Sequence, residues 1–243
     1  MNSILNQIIS AEKSIAILID PEKFIQNCSN DFFKKLAICN PDFIFIGGST
    51  VSAGDFKTCV QLLKENTRLP LVIFPGASHQ IDENADAILF LSLLSGRNPD
   101  YLIGHHVNAS EELEKMNLEI IPTSYLLIDG GKKSSVEYVS QTTPIPADQT
   151  SIARKTALAG KLQGKLLTYI DCGSGALFPA TSSMIQAVKS VNLPLVVGGG
   201  IRTIEQIEMA HKSGANVVVI GNKIEADIDF LFDIANYKKS VFL

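Results

Sequence analysis

The feature that most constrains what this chain can fold into is a recurring alternation. Short apolar runs rich in β-branched residues are each followed by a longer stretch of helical character. The runs fall at residues 15–20, 43–47, 71–74, 87–93, 120–127, 166–170, 195–197 and 217–220. They lack a strict apolar–polar alternation, which is the pattern of parallel strands covered on both faces. Helical segments between them include 32–37, 56–65, 152–162, 182–191 and 204–213. Ala53 or Asp55 opens one helix, Thr203 suits an N-cap, and Gly214 ends the helix before the last strand. Eight such units in 243 residues predict a single-domain α/β protein, a (β/α)8 TIM barrel over residues 1–243. Periodicity does not establish closure, so an open doubly wound sheet stays as the alternative.

One stretch breaks the rhythm. Residues 129–149 carry Gly130-Gly131-Lys132-Lys133 and later Pro144-Ile145-Pro146, and read as a long loop after the fifth strand. Loops of that length in compact domains commonly serve function. Lys132 and Lys133 themselves read as solvated loop charges.

Composition narrows the partners. A formal net charge of −4 leaves no basic face for nucleic acid. Cys28, Cys39, Cys59 and Cys172 show no CxxC spacing and read as reduced thiols of a cytoplasmic protein. The amino-terminal segment lacks the pattern of a signal peptide. The longest apolar stretch, near residues 87–94, is too short to span a bilayer. Neither a basic amphipathic helix nor a lipidation signal supports a stable membrane anchor.

The residues with chemistry collect just after the predicted strands, the end at which barrel enzymes keep their active sites. Asp20-Pro21-Glu22-Lys23 follows the first, Gly47-Gly48-Ser49-Thr50 the second, and Tyr169-Ile170-Asp171-Cys172-Gly173-Ser174-Gly175-Ala176 closes the sixth. Gly198-Gly199-Gly200-Ile201-Arg202 ends the seventh and Gly221-Asn222 the eighth. Glycines there let backbone N–H groups approach an anion, so the last two strands predict a phosphate cradle. Tight turns alone are the plainer explanation. Asp20 with Ser49 and Thr50 offers hard oxygen ligands suited to Mg²⁺, although each residue by itself is a common helix cap. Asp171 is a carboxylate placed where a general base could act. The adjacent His105 and His106 lack partners at metal-binding spacing, and Cys172 has no neighbouring base.

Taken in this order, Leu18 through Lys23, Ile46 through Thr50, Tyr169 through Ala176, Val197 through Ile201 and Val219 through Asn222 resemble the geranylgeranylglyceryl phosphate synthases and the related bacterial heptaprenylglyceryl phosphate synthases. The resemblance spans essentially the whole chain and extends to Ser124-Tyr125-Leu126 and the loop through Pro146. It implies transfer of a geranylgeranyl group from its diphosphate to the 3-hydroxyl of sn-glycerol 1-phosphate, an ether-lipid step. It further implies Mg²⁺ at Asp20 and Ser49, with Asp171 and Tyr169 as catalytic groups. Glycerol phosphate is then expected on Tyr169, Ile170, Asp171, Cys172, Gly173, Ser174 and Gly175, on Gly199 and Gly200, and on Gly221 and Asn222. A homo-oligomer, dimer or hexamer, is also implied. The family usually has Glu where this chain has Asp171, and Leu18 replaces the lysine of the heptaprenyl branch. Phe74, Tyr101 and Tyr125 are expected to help line a prenyl groove.

Two other readings use the same cradle. One is a phosphosugar isomerase or synthase with Asp20 and either Asp129 or Asp171 as acid–base groups. The other is a non-catalytic barrel that binds a phosphorylated metabolite.

Overall fold

The computed structural model describes residues 3–10 and 12–241; Met1, Asn2 and Ala11 of the amino-terminal segment read above, and residues 242 and 243, lie outside them. Eight parallel strands pair in sequence order and close into a barrel. They are β1 (Ser14–Ile19), β2 (Phe43–Ile46), β3 (Leu71–Ile73), β4 (Ala87–Leu93), β5 (Glu119–Leu127), β6 (Leu167–Asp171), β7 (Leu195–Gly198) and β8 (Val217–Ile220). Closure comes from β8 returning to β1, with Ser14 opposite Val217 and Ile17 opposite Ile220. The open sheet is therefore excluded.

The twofold alternation of side chains along each strand sorts the apolar residues into two cores. Ala16, Phe43, Phe45, Val72, Leu89 and Val196 fill the barrel. Ile15, Ile17, Ile44, Ile46, Ile170 and Val218 face outward and pack under the helices. Because both faces are buried, the strands read as continuous apolar runs. The short helix α1 (Ile4–Ser10) joins the inner core through Ile4 and Ile8. Its first N–H groups are held by a carboxylate of β5: Ile4 and Leu5 donate to Glu119 at 2.5 and 3.0 Å.

The helical layer is α2 (Pro21–Asn27), α3 (Asn30–Cys39), α4 (Ala53–Asn66), α5 (His105–Glu114), α6 (Ser135–Ser140), α7 (Thr150–Leu162), α8 (Ser182–Lys189), α9 (Ile204–Lys212), α10 (Asn222–Ala226) and α11 (Phe230–Val241). Ser52, rather than Ala53 or Asp55, caps α4, and Thr203 caps α9 in a reciprocal capping box with Gln206. A π-helical turn, Asp100–Gly104, leads into α5. No helix among the described residues is long and apolar enough to cross a membrane.

Two departures from the sequence expectation bear on the site. The stretch 129–149 is not wholly loop: it contains α6, capped by Ser134, whose hydroxyl accepts from Glu137 N at 3.3 Å. And β3 is followed by no helix; residues 74–86 run directly to β4. Pro75 and Gly76 break the chain there, and a fully buried Gln80 fastens it. The Gln80 amide accepts from Gly76 N and donates to Gly48 O, both at 2.9 Å. A β-carbon on Gly76 would stand 2.3 Å from Gly48 O, so only glycine lets the two loops meet. The helix that would follow β3 and cover its border with β4 is therefore missing, beside Ile88 and Phe90 on the outer face of β4.

Replacing Gln80 by Leu keeps the volume but leaves Gly76 N–H and Gly48 C=O without partners. The variant is expected to lose about 2–4 kcal/mol of unfolding free energy. Urea denaturation checks this, and an unchanged midpoint would show that Gln80 does not fasten the loop.

Candidate active site at the barrel mouth

One cavity of about 320 Å³ opens at the carboxyl ends of the strands and continues sideways through the gap left by the missing helix. Its mouth is polar and its side arm apolar.

Asp20 ends β1 and caps α2, accepting from Glu22 N at 3.2 Å. It lies against the turn after β2, where its Oδ2 is 3.5 Å from the place a β-carbon on Gly48 would occupy. Ser49 and Thr50 cap no helix, since Ser52 takes that role, and both line the cavity with Asp20. A polar chain runs on from Asp20 around the mouth. Lys23 Nζ stands 3.7 Å from Asp20 and 2.8 Å from Glu225. Asn222 donates to Glu225 at 3.0 Å, and its amide oxygen accepts from Gly175 N at 2.7 Å and Ser174 Oγ at 3.2 Å.

The glycines after β6 and β7 make the cradle. Gly173, Gly175, Gly199 and Gly200 all have positive φ, between +73° and +85°. At Gly199 a β-carbon would fall 2.5 Å from Asp171 Oδ1 and 2.7 Å from Gly173 N. Both the backbone conformation and the space there exclude a side chain.

Asp171 sits at the centre, buried. Its Oδ2 accepts from the Tyr125 hydroxyl at 2.7 Å and its Oδ1 from Gly173 N at 2.8 Å. Burial raises its pKa, partly opposed by the hydrogen bonds from Tyr125 and Gly173, which favour the carboxylate. Tyr169 stacks on Phe74 at 4.9 Å and meets Tyr125 edge-on at 5.6 Å, so three aromatic rings wall the space beside the carboxylate. Burial also raises the pKa of both tyrosines, keeping their hydroxyls protonated.

The side arm is lined by Ile81, Ile88, Phe90, Tyr101, Ala109 and Leu113. His106 closes one wall, its ring 4.2 Å from Phe90. Its Nε2 lies 2.6 Å from Leu91 O, and since a carbonyl only accepts, that nitrogen carries the proton. Burial lowers the His106 pKa and keeps the ring neutral, fitting an apolar wall.

Of the residues singled out in the sequence, Asp20, Ser49, Tyr169, Asp171, Gly173, Ser174, Gly199, Gly200, Gly221 and Asn222 line this one cavity, as do Phe74, Tyr101 and Tyr125. Gly175 joins through its bond to Asn222. Ile170 and Cys172 do not: they alternate with Tyr169 and Asp171 along β6, and their side chains point into the outer core. Burial raises the Cys172 pKa, which suits packing rather than nucleophilic attack. Asp129, named for the isomerase reading, is exposed and accepts from Gly131 N in a tight turn at 2.8 Å. Sequence reasoning expected an apolar groove and named Tyr101 for it, but did not single out Ile81, Ile88, Phe90, Ala109 or Leu113. A signal for where the arm opens was the absence of helical periodicity between Phe74 and Ala87.

These features define a (β/α)8 barrel whose glycine-rich polar mouth opens into an apolar arm. Residues 6–238 match the PcrB family, and the chain belongs to that family. It is 49% identical over 232 residues to a protein of Zunongwangia profunda named geranylgeranylglyceryl phosphate synthase, covering 93% of this chain and 98% of that one. A Thermococcus kodakarensis protein of the same name is 37% identical over 223 residues, covering 91% and 88% of the two chains. The crystal structure of (S)-3-O-geranylgeranylglyceryl phosphate synthase from Thermoplasma acidophilum in complex with sn-glycerol-1-phosphate superposes with a TM-score of 0.89 at 30% identity. It covers 99% of this chain and 98% of its own.

The raised value at Asp171 has a defined sign for stability. The native state holds this proton more tightly than the unfolded chain does. Its contribution is full below the unfolded value and is lost as pH rises through the folded one. Tyr125→Phe removes a donor that favours the carboxylate. In that variant the Asp171 carboxyl carbon should titrate at higher pH by ¹³C NMR, and an equal or lower midpoint would refute the role given to the Tyr125 hydroxyl.

Proposed function

We propose that this chain is a Mg²⁺-dependent prenyltransferase that joins geranylgeranyl diphosphate to the 3-hydroxyl of sn-glycerol 1-phosphate, releasing diphosphate. The observation that carries it is the continuity of three environments in one cavity. A glycine cradle suits a phosphate monoester, a buried carboxylate suits a hydroxyl proton, and an apolar arm suits a hydrocarbon tail.

The residues fit the cation. Asp20 and Ser49 are hard oxygen donors that line the same cavity, and Gly48, lacking a β-carbon, leaves the space next to the carboxylate open. Two oxygen donors with room beside them match Mg²⁺, which keeps waters and substrate oxygens in its shell. Bound there, Mg²⁺ offsets the negative charge of the diphosphate leaving group.

The chain's own residues do the rest. The cradle after β6, β7 and β8 holds the glycerol phosphate and so brings its 3-hydroxyl up to Asp171. The bond from the allylic carbon to the diphosphate oxygen breaks, and the bond from that carbon to the glycerol oxygen forms. The hydroxyl proton passes to the Asp171 carboxylate, which Tyr125 and Gly173 hold oriented. The faces of Tyr169, Phe74 and Tyr125 provide negative π density next to the developing allylic cation. Asp in place of the family's usual Glu is one methylene shorter, and the Tyr125 and Gly173 bonds set where its oxygens stand.

The test is product formation from geranylgeranyl diphosphate and labelled sn-glycerol 1-phosphate, with and without Mg²⁺ and against sn-glycerol 3-phosphate. The expected result is an organic-extractable product only with the 1-phosphate and the metal. Asp171→Asn should lower kcat by about 10²–10⁴-fold, the size of a general-base contribution. Folded protein that gives no product with geranylgeranyl or longer donors overturns the reading.

A further inference from the structure

The phosphate cradle, as built from Gly173 to Gly175, Gly199, Gly200, Gly221 and Asn222, contains only neutral groups. A phosphate monoester near neutral pH carries more than one negative charge, so the source of positive charge is a real question. Arg202 lines the cavity and keeps its charge, but its guanidinium is turned onto three backbone carbonyls of the loops after β6 and β7. It donates to Ala176 O at 2.5 Å, to Gly200 O at 3.2 Å and to Leu177 O at 3.3 Å. Lys23 is held by Glu225 and Asp20.

Lys132 is different. Its Nζ, exposed at the rim of the cavity, lies 3.9 Å from the position a β-carbon on Gly175 would take. Among the described residues it forms no hydrogen bond and no ion pair. Nor is its place an accident of a loose loop, because the backbone on either side is packed onto the loop after β6. Gly130 O accepts from Leu177 N at 2.8 Å and from Phe178 N at 3.1 Å. A β-carbon on Gly130 would clash with Ala176 at 2.5 Å, and one on Gly173 would clash with Ser134 at the same distance. Asp129 Oδ1 accepts from Gly131 N, shaping the turn that precedes Lys132. The segment is thus fastened before Lys132 by Gly130 and after it by Ser134, and Lys132 projects from between them.

We propose that Lys132 is a further binding residue of the site, supplying a positive charge that pairs with the phosphate of the glycerol substrate from the rim of the cradle. This rests on the reading of the cradle given above. It places the β5 loop in the site through one specific side chain, where the sequence suggested only a solvated charge. An ammonium acts here as a point charge and needs no fixed fork geometry, so Arg should substitute for it.

The experiment is calorimetric titration of the full chain with sn-glycerol 1-phosphate, comparing wild type with Lys132→Met, Lys132→Arg and Lys133→Met. Lys132→Met should weaken binding about five- to tenfold at low salt, as expected for one partly exposed charge-assisted contact. Lys132→Arg and Lys133→Met should bind like wild type, and the deficit of Lys132→Met should shrink at high ionic strength. In turnover, the KM for sn-glycerol 1-phosphate should rise with the KM for the prenyl diphosphate unchanged. Equal binding by wild type and Lys132→Met overturns the proposal and leaves the functional reading intact. The opposite KM pattern overturns it too, by assigning Lys132 to the diphosphate. If wild type binds no sn-glycerol 1-phosphate, the functional reading falls instead. Inorganic phosphate titrated into the same proteins then decides Lys132: a loss in Lys132→Met upholds the anion contact, and equality overturns it.

Discussion

Barrel closure, the pairing of β8 with β1, is the constraint on which everything else in the molecule depends. Parallel strands leave backbone groups unpaired at any open edge, and here Ser14 to Ile17 meet Val217 to Ile220 so that no edge remains. Closure also decides what an inward-pointing side chain can be. Phe43, Phe45, Leu89 and Val196 fill the middle of the barrel as solid core, with Ile4 and Ile8 of α1 joining them. Tyr125, Tyr169 and Asp171, further along β5 and β6, are among the inward residues that reach the cavity. A shift of one residue in β6 would turn Asp171 outward and bring Cys172 in. The register that pairs Tyr125 with Tyr169 and Leu127 with Asp171 is therefore a chemical requirement as much as a structural one.

The site gains its second environment from an irregularity in the same framework. Each βα unit normally covers its strand with a helix, but residues 74–86 fold instead as a loop fastened by Gln80. Ile88 and Phe90 then line the apolar arm beside α5, whose His106 ring packs on Phe90. Burying a long hydrocarbon chain against such a surface is favourable at roughly 25 cal/mol per Å² of apolar area. The aromatic cluster of Phe74, Tyr125 and Tyr169 stands at the junction of the polar mouth and this apolar arm, where an allylic diphosphate would have its reactive carbon. Neutral His106 fits the same logic, since a charged ring in that wall would lose its hydration when a hydrocarbon filled the arm.

Electrostatic organisation follows the barrel mouth from strand to strand. Asp20, Lys23, Glu225 and Asn222 form one continuous polar chain that ends on Ser174 and Gly175. The acidic end of the site and its glycine-rich end are thereby mechanically connected, and neither Lys23 nor Glu225 stands as an isolated charge. Asp171, by contrast, is held away from this chain and is tuned by burial against its two hydrogen bonds.

The sequence alone was enough for eight βα units and for most of the mouth, while closure itself needed the β8–β1 pairing. Eight apolar runs of the right length, with glycines and acids clustered after them, bring those residues to the carboxyl ends of parallel strands. So Asp20, Ser49, Asp171 and Gly199 were legible before any coordinates. Local chemistry also determined the caps at Thr203 and Asp20, because a side chain two or three residues from its backbone partner needs no tertiary context. Three things were decided only in three dimensions. The alternation along β6 turned Ile170 and Cys172 away from the site, which a motif read as a string cannot express. The apolar arm arose from a helix that is absent between β3 and β4, and from residues of β4 and α5 far apart in the chain. The position of Lys132 depended on two loops packing face to face. In each case the deciding contact joins residues distant in sequence, and its geometry is set by packing that no local pattern encodes.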